Sequence, residues 1–488
     1  MNEKQKTNAV PESLEPPAMP KPFDPNDYPR EFETVYPGIY LDREKPLMEE
    51  YFAEAEAVET RGEVDLDKII AGCDYGEVPG YALSFQASEA KMRYDALKYD
   101  PENPIYNDEE YAKKLGYKSL PALPTFAAND DAFMKGYPKE ARDLMTVSSL
   151  NHSETFLKPI YAGDMLYMVL DSRKIMDLTP VEGSNVRHNC IENRGSVYNQ
   201  RKEKVVDVIF RVTESNKYYK NRPEALDPAG AWDTAEWTSR EQHIYTDKDY
   251  AYFCDIWSKE KRQGAEPLYW EDVNIGDEPA WTLDGPIFQS VGPVTPYGTG
   301  AEGSRTLKKE IMDPQIRATL TKDEYGIYHT PVFSDMVPDI PSGPHENFVD
   351  PMKPNFPPEM MQMLMRRGCT NYMGRDIALR HINNYMGDHG RLYNIKWGIM
   401  FPECFEEYGI DVPYSPFAKY FSEDIPELKE KHIVHAVVGD IQLVKSRVTN
   451  KYVQDGQFFI TLTWWIETIE GYVTHEGSAE IILPSKNK

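Results

Sequence analysis

The sequence predicts an α+β protein made of two copies of one unit, in which an antiparallel sheet wraps around a single helix. The chain shows the same order of features twice. A helical segment comes before a Gly-Asp pair in each half, at Gly163-Asp164 and at Gly439-Asp440. Strand-like runs follow each pair, and a turn at Asp455-Gly456 separates two of the later runs. This repetition indicates a duplicated unit.

Composition and charge exclude several functional classes. The chain has 488 residues, with 80 Asp and Glu against 54 Lys and Arg, so its net charge is −26. Such a charge repels phosphate backbones, so we expect no nucleic-acid partner and no binding to an anionic membrane surface. No apolar stretch approaches the roughly 20 residues that span a bilayer. The N-terminus lacks the apolar segment of a secretory signal, which predicts a cytoplasmic location.

The five cysteines carry little functional signal. They are far apart, odd in number and form no CxxC pair. This usage is typical of a reducing compartment and gives no zinc or redox motif, so we expect no metal site. The residues concerned are Cys73, Cys190, Cys254, Cys369 and Cys404.

Four segments are predicted along the chain. Residues 1–40 form a Pro-rich extended arm, and residues 216–266 form a polar, aromatic connector. Between them, residues 41–215 form the first domain, and residues 267–488 form a second domain with inserts.

The periodicity predicts the main elements of both domains. In the first, we expect helices over 87–99 and 108–115, with Ser88 as the N-cap of the longer one, and a strand-rich block over 156–213. In the second, the predicted helices are 358–367 and 375–385, and the strands of the C-terminal meander are 441–448, 457–468 and 471–483.

Several motifs appear in the order in which one family carries them. The first half reads Asn-Pro-Ile-Tyr-Asn-Asp-Glu-Glu-Tyr-Ala over 103–112 and Pro-Ala-Leu-Pro-Thr-Phe over 121–126, then has the Gly163-Asp164 strand entry. The second half has Tyr-Trp-Glu-Asp-Val at 269–273, Asn-Tyr-Met-Gly-Asp-His-Gly over 384–390 and a final Gly-containing strand. Over about 80–215 and 267–485 the chain resembles the MaoC-like acyl dehydratases, or (R)-specific enoyl-CoA hydratases, with two hot-dog domains and an N-terminal MaoC-type dehydratase domain.

The resemblance implies that water is added to a 2-enoyl-CoA thioester, or removed from a 3-hydroxyacyl-CoA thioester. Family members hold and activate the water with the Asp and the His of an Asp-x-Asn-Pro-x-His motif. Backbone N–H groups at a helix N-terminus stabilise the enolate. Coenzyme A is then part of the substrate, and no separate cofactor is expected. Two alternatives remain open: a degenerate protein that binds acyl-CoA or partners an active subunit, and a thioester hydrolase.

The first half departs from the family motif. Pro101 occupies the position of the catalytic Asp, Asp100 is displaced by one residue, and Tyr106 replaces the His. We therefore expect the first domain to supply substrate-binding residues, namely Asp100, Asn103 and Tyr106, rather than the chemistry.

The second half lacks the motif but contains a possible substitute. His345 and Asp350 are also five residues apart, in reversed order, and are the candidate catalytic pair; the alternative is a loop His and a turn-capping Asp. Gly374 precedes a predicted helix, so its N–H is a candidate oxyanion donor; the alternative is a glycine required by close packing.

Binding of coenzyme A phosphates would require local cations in this acidic chain. The candidates, each alternatively a surface charge or an ion pair, are Lys308-Lys309, Arg366-Arg367, Arg375 and Arg380. Trp464 and Trp465 should face opposite sides of a strand, and Trp465 is a candidate wall of the acyl site, with core packing as the alternative. Hot-dog units pair their sheets edge to edge, so the resemblance also implies a homo-oligomer.

Overall fold

The computed structural model describes most of both predicted domains. The described residues are 33–42, 44–127, 146–179, 181–184, 186–217, 241–286, 303–329, 371–398, 425–431, 434, 436 and 439–487. Among these residues, no helix combines the length and the apolar character needed to cross a membrane.

One ten-stranded antiparallel sheet dominates the structure, with strand order β1-β3-β4-β5-β2-β9-β12-β11-β10-β6. The strands of the first half are β1 Tyr81–Gln86, β2 Thr146–Phe156, β3 Met165–Asp177, β4 Val186–Asn199 and β5 Lys204–Lys217. Those of the second half are β6 Thr282–Asp284, β9 Arg391–Gly398, β10 Gln442–Gln454, β11 Gln457–Glu467 and β12 Val473–Leu483. A separate two-stranded sheet contains β7 Thr321–Lys322 and β8 Tyr328–His329.

The strand order confirms the predicted duplication. When the sheet strands of each half are numbered along the chain, both halves have the same order from the outer edge of the sheet to its middle: first, third, fourth, fifth and second. The two second strands, β2 and β9, pair antiparallel from Asn151 opposite Gly398 to Thr155 opposite Asn394. The helix Asn371–Met386 packs against the strands of the second half, and the helices Lys45–Thr60 and Glu89–Tyr99 contribute to the same core in the first half, so the chain has a double hot-dog fold. The predicted limits of the arm, the domains and the connector stay a prediction.

The helix of the first half that contacts Asn371–Met386 of the second half is Glu89–Tyr99, here called the first central helix. Ser88 is its N-cap, and the Ser88 hydroxyl accepts a hydrogen bond from the Lys91 N–H at 3.2 Å, as predicted. The predicted shorter helix is Glu109–Lys114, capped by Asp108. The other described helices are Lys45–Thr60, Leu66–Ile70, Pro104–Asn107, Asp247–Lys259, Gly303–Met312 and Pro314–Arg317.

The second central helix is Asn371–Met386, longer at its N-terminus than the predicted 375–385. The presence of Gly374 led to a late predicted start, because glycine is a poor helix former. The structure explains the glycine by packing: a Cβ at Gly374 would lie 2.5 Å from the imidazole of His475 on β12. The helix approaches the sheet too closely here for any side chain.

A single hydrophobic core runs beneath both halves of the sheet. It contains side chains of both central helices, such as Met92 and Ile382, together with Phe210 and Trp464 from the two sets of strands. The predicted opposite orientation of the tryptophans is confirmed, because Trp465 packs outside this core with Ile425 and Leu428. The two halves therefore form one folded body with a shared interior.

Some elements were not predicted. The strand Thr146–Phe156 was missed because its run is polar, and the helix Asp247–Lys259 lies inside the predicted connector. That helix has a capping box formed by Thr246 and Asp249 and buries Phe253 and Trp257. The predicted helix 358–367 lies outside the described residues.

Candidate functional site

The two central helices face each other along a polar surface, here called the seam, which includes the loops that follow their C-termini. Near the middle of the seam, Lys91 pairs with Asp95 at 2.5 Å. Burial raises the pKa of the Asp95 carboxyl, and the neighbouring charge of Asp376 raises it further against the opposing charge of Lys91. Burying ionised groups between two helices costs free energy that apolar side chains would avoid. The charged side chains of the seam therefore indicate a functional or structural role.

Asp100 lies at the end of the seam, where it follows the first central helix as its C-cap residue. Its side chain is buried, and Asp100 Oδ2 accepts hydrogen bonds from Asn103 Nδ2 at 2.9 Å and from Asn383 Nδ2 at 2.8 Å. Asn383 belongs to the second central helix, so amides from both halves of the chain hold this one carboxylate. A carboxylate fixed by neutral donors can accept a proton from a bound water.

Tyr106 lies close to Asp100 and is 6% exposed. Burial raises the pKa of the Tyr106 phenol well above its usual range, with the charges of Asp100 and Asp388 also raising it. The phenol therefore keeps its proton at neutral pH and can act as a hydrogen-bond donor. The structure thus brings three predicted binding residues together, Asp100, Asn103 and Tyr106.

Asp388 is the matching carboxylate after the second central helix. It is 5% exposed, its Oδ2 accepts from the Tyr111 hydroxyl, and its Oδ1 accepts from Arg262 Nη2. The Asp388 hydrogen bond is the main cause of the raised pKa of Tyr111. Arg262 Nη2 also donates to Asn103 Oδ1 at 3.0 Å. No role was predicted from the sequence for Asp388, Arg262, Asn383 or Tyr111.

The side-chain oxygen of Asn383, Oδ1, is buried and has no hydrogen-bond partner among the residues that the structure describes. A buried carbonyl oxygen without a donor costs free energy, about 1–3 kcal/mol. This atom can accept a hydrogen bond from a bound water or from a substrate hydroxyl.

Arg375 lies in a separate cluster near the start of the second central helix. Its guanidinium donates to Glu154 Oε1 at 2.8 Å and to Asp376, and it stacks over the ring of Trp397 at 5.6 Å. Burial raises the pKa of Glu154 to about 7, against the opposing charge of Arg375. Arg375 joins the second central helix to β2 of the first half, and its charge is already balanced by carboxylates. The predicted role in substrate binding stays a prediction.

The other predicted cations are similarly engaged where the structure describes them. Arg380 Nη1 donates to Glu260 at 3.0 Å and Nη2 to Asp284 at 3.2 Å, and Lys308 also pairs with Glu260. Lys309 pairs with Glu102 at 3.7 Å, but its side chain remains 77% exposed. Arg366 and Arg367 lie outside the described residues.

The remaining predicted residues that the structure describes do not line the seam. Trp465 packs on the face of the sheet that points away from the central helices, where its indole Nε1 donates to Glu467 Oε1 at 2.7 Å. The close contact with His475 gives Gly374 a packing role, which was the stated alternative. His345 and Asp350, the candidate catalytic pair, lie outside the described residues.

The missed residues had no sequence signal strong enough to identify them. Asn383 is 283 positions from Asp100, and Arg262 is 159 positions from Asn103. Asp388 belongs to the Asn-Tyr-Met-Gly-Asp-His-Gly motif over 384–390, which was the one available signal. Its Gly-Asp-His-Gly sequence is also typical of the turn that ends a helix, and Gly387 adopts a positive φ of 68° there.

Comparison with known families gives a match within the first half. Residues 91–208 match the family model described as "FAS1-like, dehydratase domain region". The matched segment contains Asp100, Asn103 and Tyr106, so these seam residues of the first half lie inside the segment that is similar to this family.

The individual proteins that are similar to this chain have low sequence identity to it. A UPF0336 protein from Streptomyces avermitilis is 28% identical over 151 residues, which is 30% of this chain and 93% of the relative. A double hotdog protein from Mycobacterium tuberculosis is 9% identical, with a TM-score of 0.42, over 85% of this chain and 97% of that one. A MaoC domain dehydratase from Chloroflexus aurantiacus is 12% identical, with a TM-score of 0.38, over 83% and 94% of the two chains. At these TM-scores the structural likeness is loose, and the strand order above establishes the fold. The duplicated strand order and the match over residues 91–208 confirm the resemblance of this chain to the MaoC-like hot-dog dehydratases.

Proposed function

We propose that this protein is a hydro-lyase that adds water to a 2-enoyl-CoA thioester, or removes it from a 3-hydroxyacyl-CoA thioester. The observation that carries the proposal is the position of Asp100. This buried carboxylate lies in the seam, inside the segment matched by a dehydratase model, and is held by amides from both halves. The chemistry requires one base beside the second and third carbons of the acyl group, and Asp100 fits this requirement.

In the proposed hydration, Asp100 accepts a proton from water while the water oxygen bonds to the third carbon of the enoyl group. The electron pair moves onto the thioester carbonyl, and the proton then returns to the second carbon. Tyr106 donates its O–H to the carbonyl oxygen as negative charge develops there. Its raised pKa suits this role, because a phenol that stays protonated donates throughout the reaction.

Asp388 is less suited to be the base. Both of its oxygens are engaged, one by Arg262 and the other by Tyr111. Asp388 therefore serves to organise the end of the seam. This assignment moves the proposed chemistry from His345 and Asp350 of the second half to residues of the first.

Three finer features belong to the same proposal. The acyl carrier is coenzyme A, with exposed Lys309 as a described cation that a phosphate could reach. The location is cytoplasmic, which the scattered cysteines favour. The chain forms a homo-oligomer, since sheets of this kind readily associate in related folds.

The test is turnover of a panel of enoyl-CoA and 3-hydroxyacyl-CoA thioesters with aliphatic, aromatic and dicarboxylic acyl groups. We expect the conjugated thioester absorbance to change with the wild-type protein. Asp100→Asn should lower kcat by about 10²–10⁴-fold, and Tyr106→Phe by about 10²–10³-fold.

Two matched control variants change exposed residues of the same region that do not line the seam. Glu89→Gln removes a carboxylate that is 59% exposed at the start of the first central helix, and Tyr94→Phe removes an exposed phenol of the same helix. Both should keep wild-type turnover. The proposal is wrong if the wild-type protein turns over no thioester, or if Asp100→Asn is as active as Glu89→Gln. Tight binding without turnover would favour the degenerate acyl-CoA-binding protein, and release of free CoA thiol would indicate hydrolysis.

A further inference from the structure

The segment that follows the helix Asp247–Lys259 belongs to the predicted connector between the two domains, yet it runs along the second central helix. Gln263 N–H donates to the Asn384 carbonyl at 2.7 Å, and Asp388 N–H donates to the Gly264 carbonyl at 2.9 Å. A Cβ at Gly387 would lie 2.9 Å from the Gln263 side chain. Residues 260–264, here called the strap, are therefore fixed to the end of this helix by backbone contacts.

Two charged side chains of the strap, Glu260 and Arg262, reach into buried positions. Glu260 accepts from Arg380 at 3.0 Å and from the Leu283 N–H at 3.1 Å. Two residues later, Arg262 reaches the seam and contacts Asn103 and Asp388. The strap thus ties the second central helix to the loop that follows the first.

The contact between Arg262 and Asn103 determines which way the Asn103 amide faces. Asn103 Oδ1 accepts from Arg262 Nη2 at 3.0 Å and from the Ile105 N–H at 3.1 Å. An amide whose oxygen faces two donors must turn its nitrogen the other way, and Asn103 Nδ2 donates to Asp100 Oδ2. Arg262 is therefore connected to Asp100 through one amide.

Arg262 is also the cation that faces a buried carboxylate of the seam. Among the described residues it is the only cation paired with Asp388, whose side chain is 1% exposed. The titratable and charged groups at this end of the seam are Tyr106, Tyr111 and Tyr117 of the first half, Arg262 of the strap, and Arg380 and Asp388 of the second half. Of these, Tyr106 and Arg380 interact electrostatically with Asp100. Arg262 is the strap's contribution to this set, and it belongs to neither hot-dog unit.

We propose that Arg262 is a positioning residue for the reaction, which orients Asn103 and thereby holds Asp100 in place as the base. This inference rests on the proposed function. It also assigns a role to the connector, because the segment that joins the two domains would complete the site that they share.

The experiment compares Arg262→Gln and Arg262→Lys in the full chain, with the enoyl-CoA thioester that the wild-type protein turns over best. Charge-assisted hydrogen bonds support a loss of about 10- to 100-fold in kcat for Arg262→Gln. KM should stay within about 2-fold, because Arg262 acts on Asp100 and not on the substrate. Removing the cation should also move the acidic limb of the pH–kcat profile to higher pH. Arg262→Lys keeps the charge and should recover part of the rate and of the profile.

A double-variant cycle tests the route through Asn103. In an Asn103→Ala background, Arg262→Gln should have much less effect on kcat than in the wild-type background. Lys259→Gln, which removes a cation that is 71% exposed one residue before the strap, is the control, and its pH profile should match that of the wild-type protein.

The outcomes separate the two proposals. If wild-type turnover is seen and Asp100→Asn abolishes it, but Arg262→Gln keeps the wild-type kcat and pH profile, the inference about Arg262 is wrong and the proposed function stands. Full additivity of Arg262→Gln and Asn103→Ala would also overturn it. If Asp100→Asn keeps wild-type activity, the proposed site itself is wrong. Should Arg262→Gln fail to fold, the Arg262→Lys profile decides, since an unshifted acidic limb with full kcat loss would contradict the positioning role.

Discussion

Glu476 on β12 offers a test of the electrostatics of this sheet. The residue is 1% exposed, and its Oε2 has no hydrogen-bond partner among the residues that the structure describes. Burial raises the pKa of the Glu476 carboxyl from an ordinary value of 4.5 to about 8. The folded protein therefore keeps Glu476 protonated at pH 7, while the unfolded chain ionises it.

The substitution Glu476→Gln should stabilise the protein, and the gain should depend on pH. Between pH 4.5 and pH 8 the folded state binds the extra proton, so wild-type stability falls as the pH rises through this window. Each pH unit contributes 1.36 kcal/mol, so at pH 7 the neutral glutamine should be more stable by about 3 kcal/mol. Below the ordinary pKa the two proteins should unfold with equal free energies.

Urea unfolding of both proteins at pH 4, 5.5, 7 and 8.5 measures this difference. Glu467→Gln on the neighbouring β11 is a control of opposite sign. Burial of Glu467 is outweighed by Lys445, 2.8 Å away, and by Lys431, so its pKa is lowered. That variant should lose stability at neutral pH. A Glu476→Gln protein that is no more stable than wild type at pH 7 would refute the reasoning.

Two further predictions concern packing. Gly374→Ala should lower the free energy of unfolding by about 1–2 kcal/mol, because overpacking against His475 outweighs the better helix propensity of alanine; unchanged urea midpoints would contradict this. Arg187→Met should cost about 3–5 kcal/mol, since the Arg187 side chain is 1% exposed and its loss leaves Glu44 and Asp177 without their cation. Calorimetry would check it, and adding Glu44→Gln should recover part of the loss.

The duplication could be predicted because it depends on local patterns. The Ser88 hydroxyl caps the start of its own helix, so the sequence at that point is enough to predict it. The alternating strands on either side of the Asp455-Gly456 turn are likewise a local pattern that involves no distant residue. Helix 247–259 was missed because its polar surroundings suggested a connector, and β2 because its residues are mostly polar. His152 and Glu154 of this strand are buried where it pairs with β9, and the sequence does not reveal that pairing.

The candidate site could be predicted only in part, for the same reason. Asp100, Asn103 and Tyr106 lie within seven residues of one another, so a motif could identify them. Asn383 and Arg262 reach them across 283 and 159 positions, respectively. The alternation of side chains along a strand shows that the rings of Trp464 and Trp465 face opposite sides of the sheet. It does not show which side faces the central helices, so Trp465 was assigned to the acyl site.

A crystal structure of the protein with an acyl-CoA analogue whose thioester is replaced by a stable thioether measures the central claim directly. The account predicts that the acyl group enters between the two central helices, with its second and third carbons within about 4 Å of the Asp100 carboxylate. An acyl group bound on the outer face of the sheet, near Trp465 and Glu476, would contradict it.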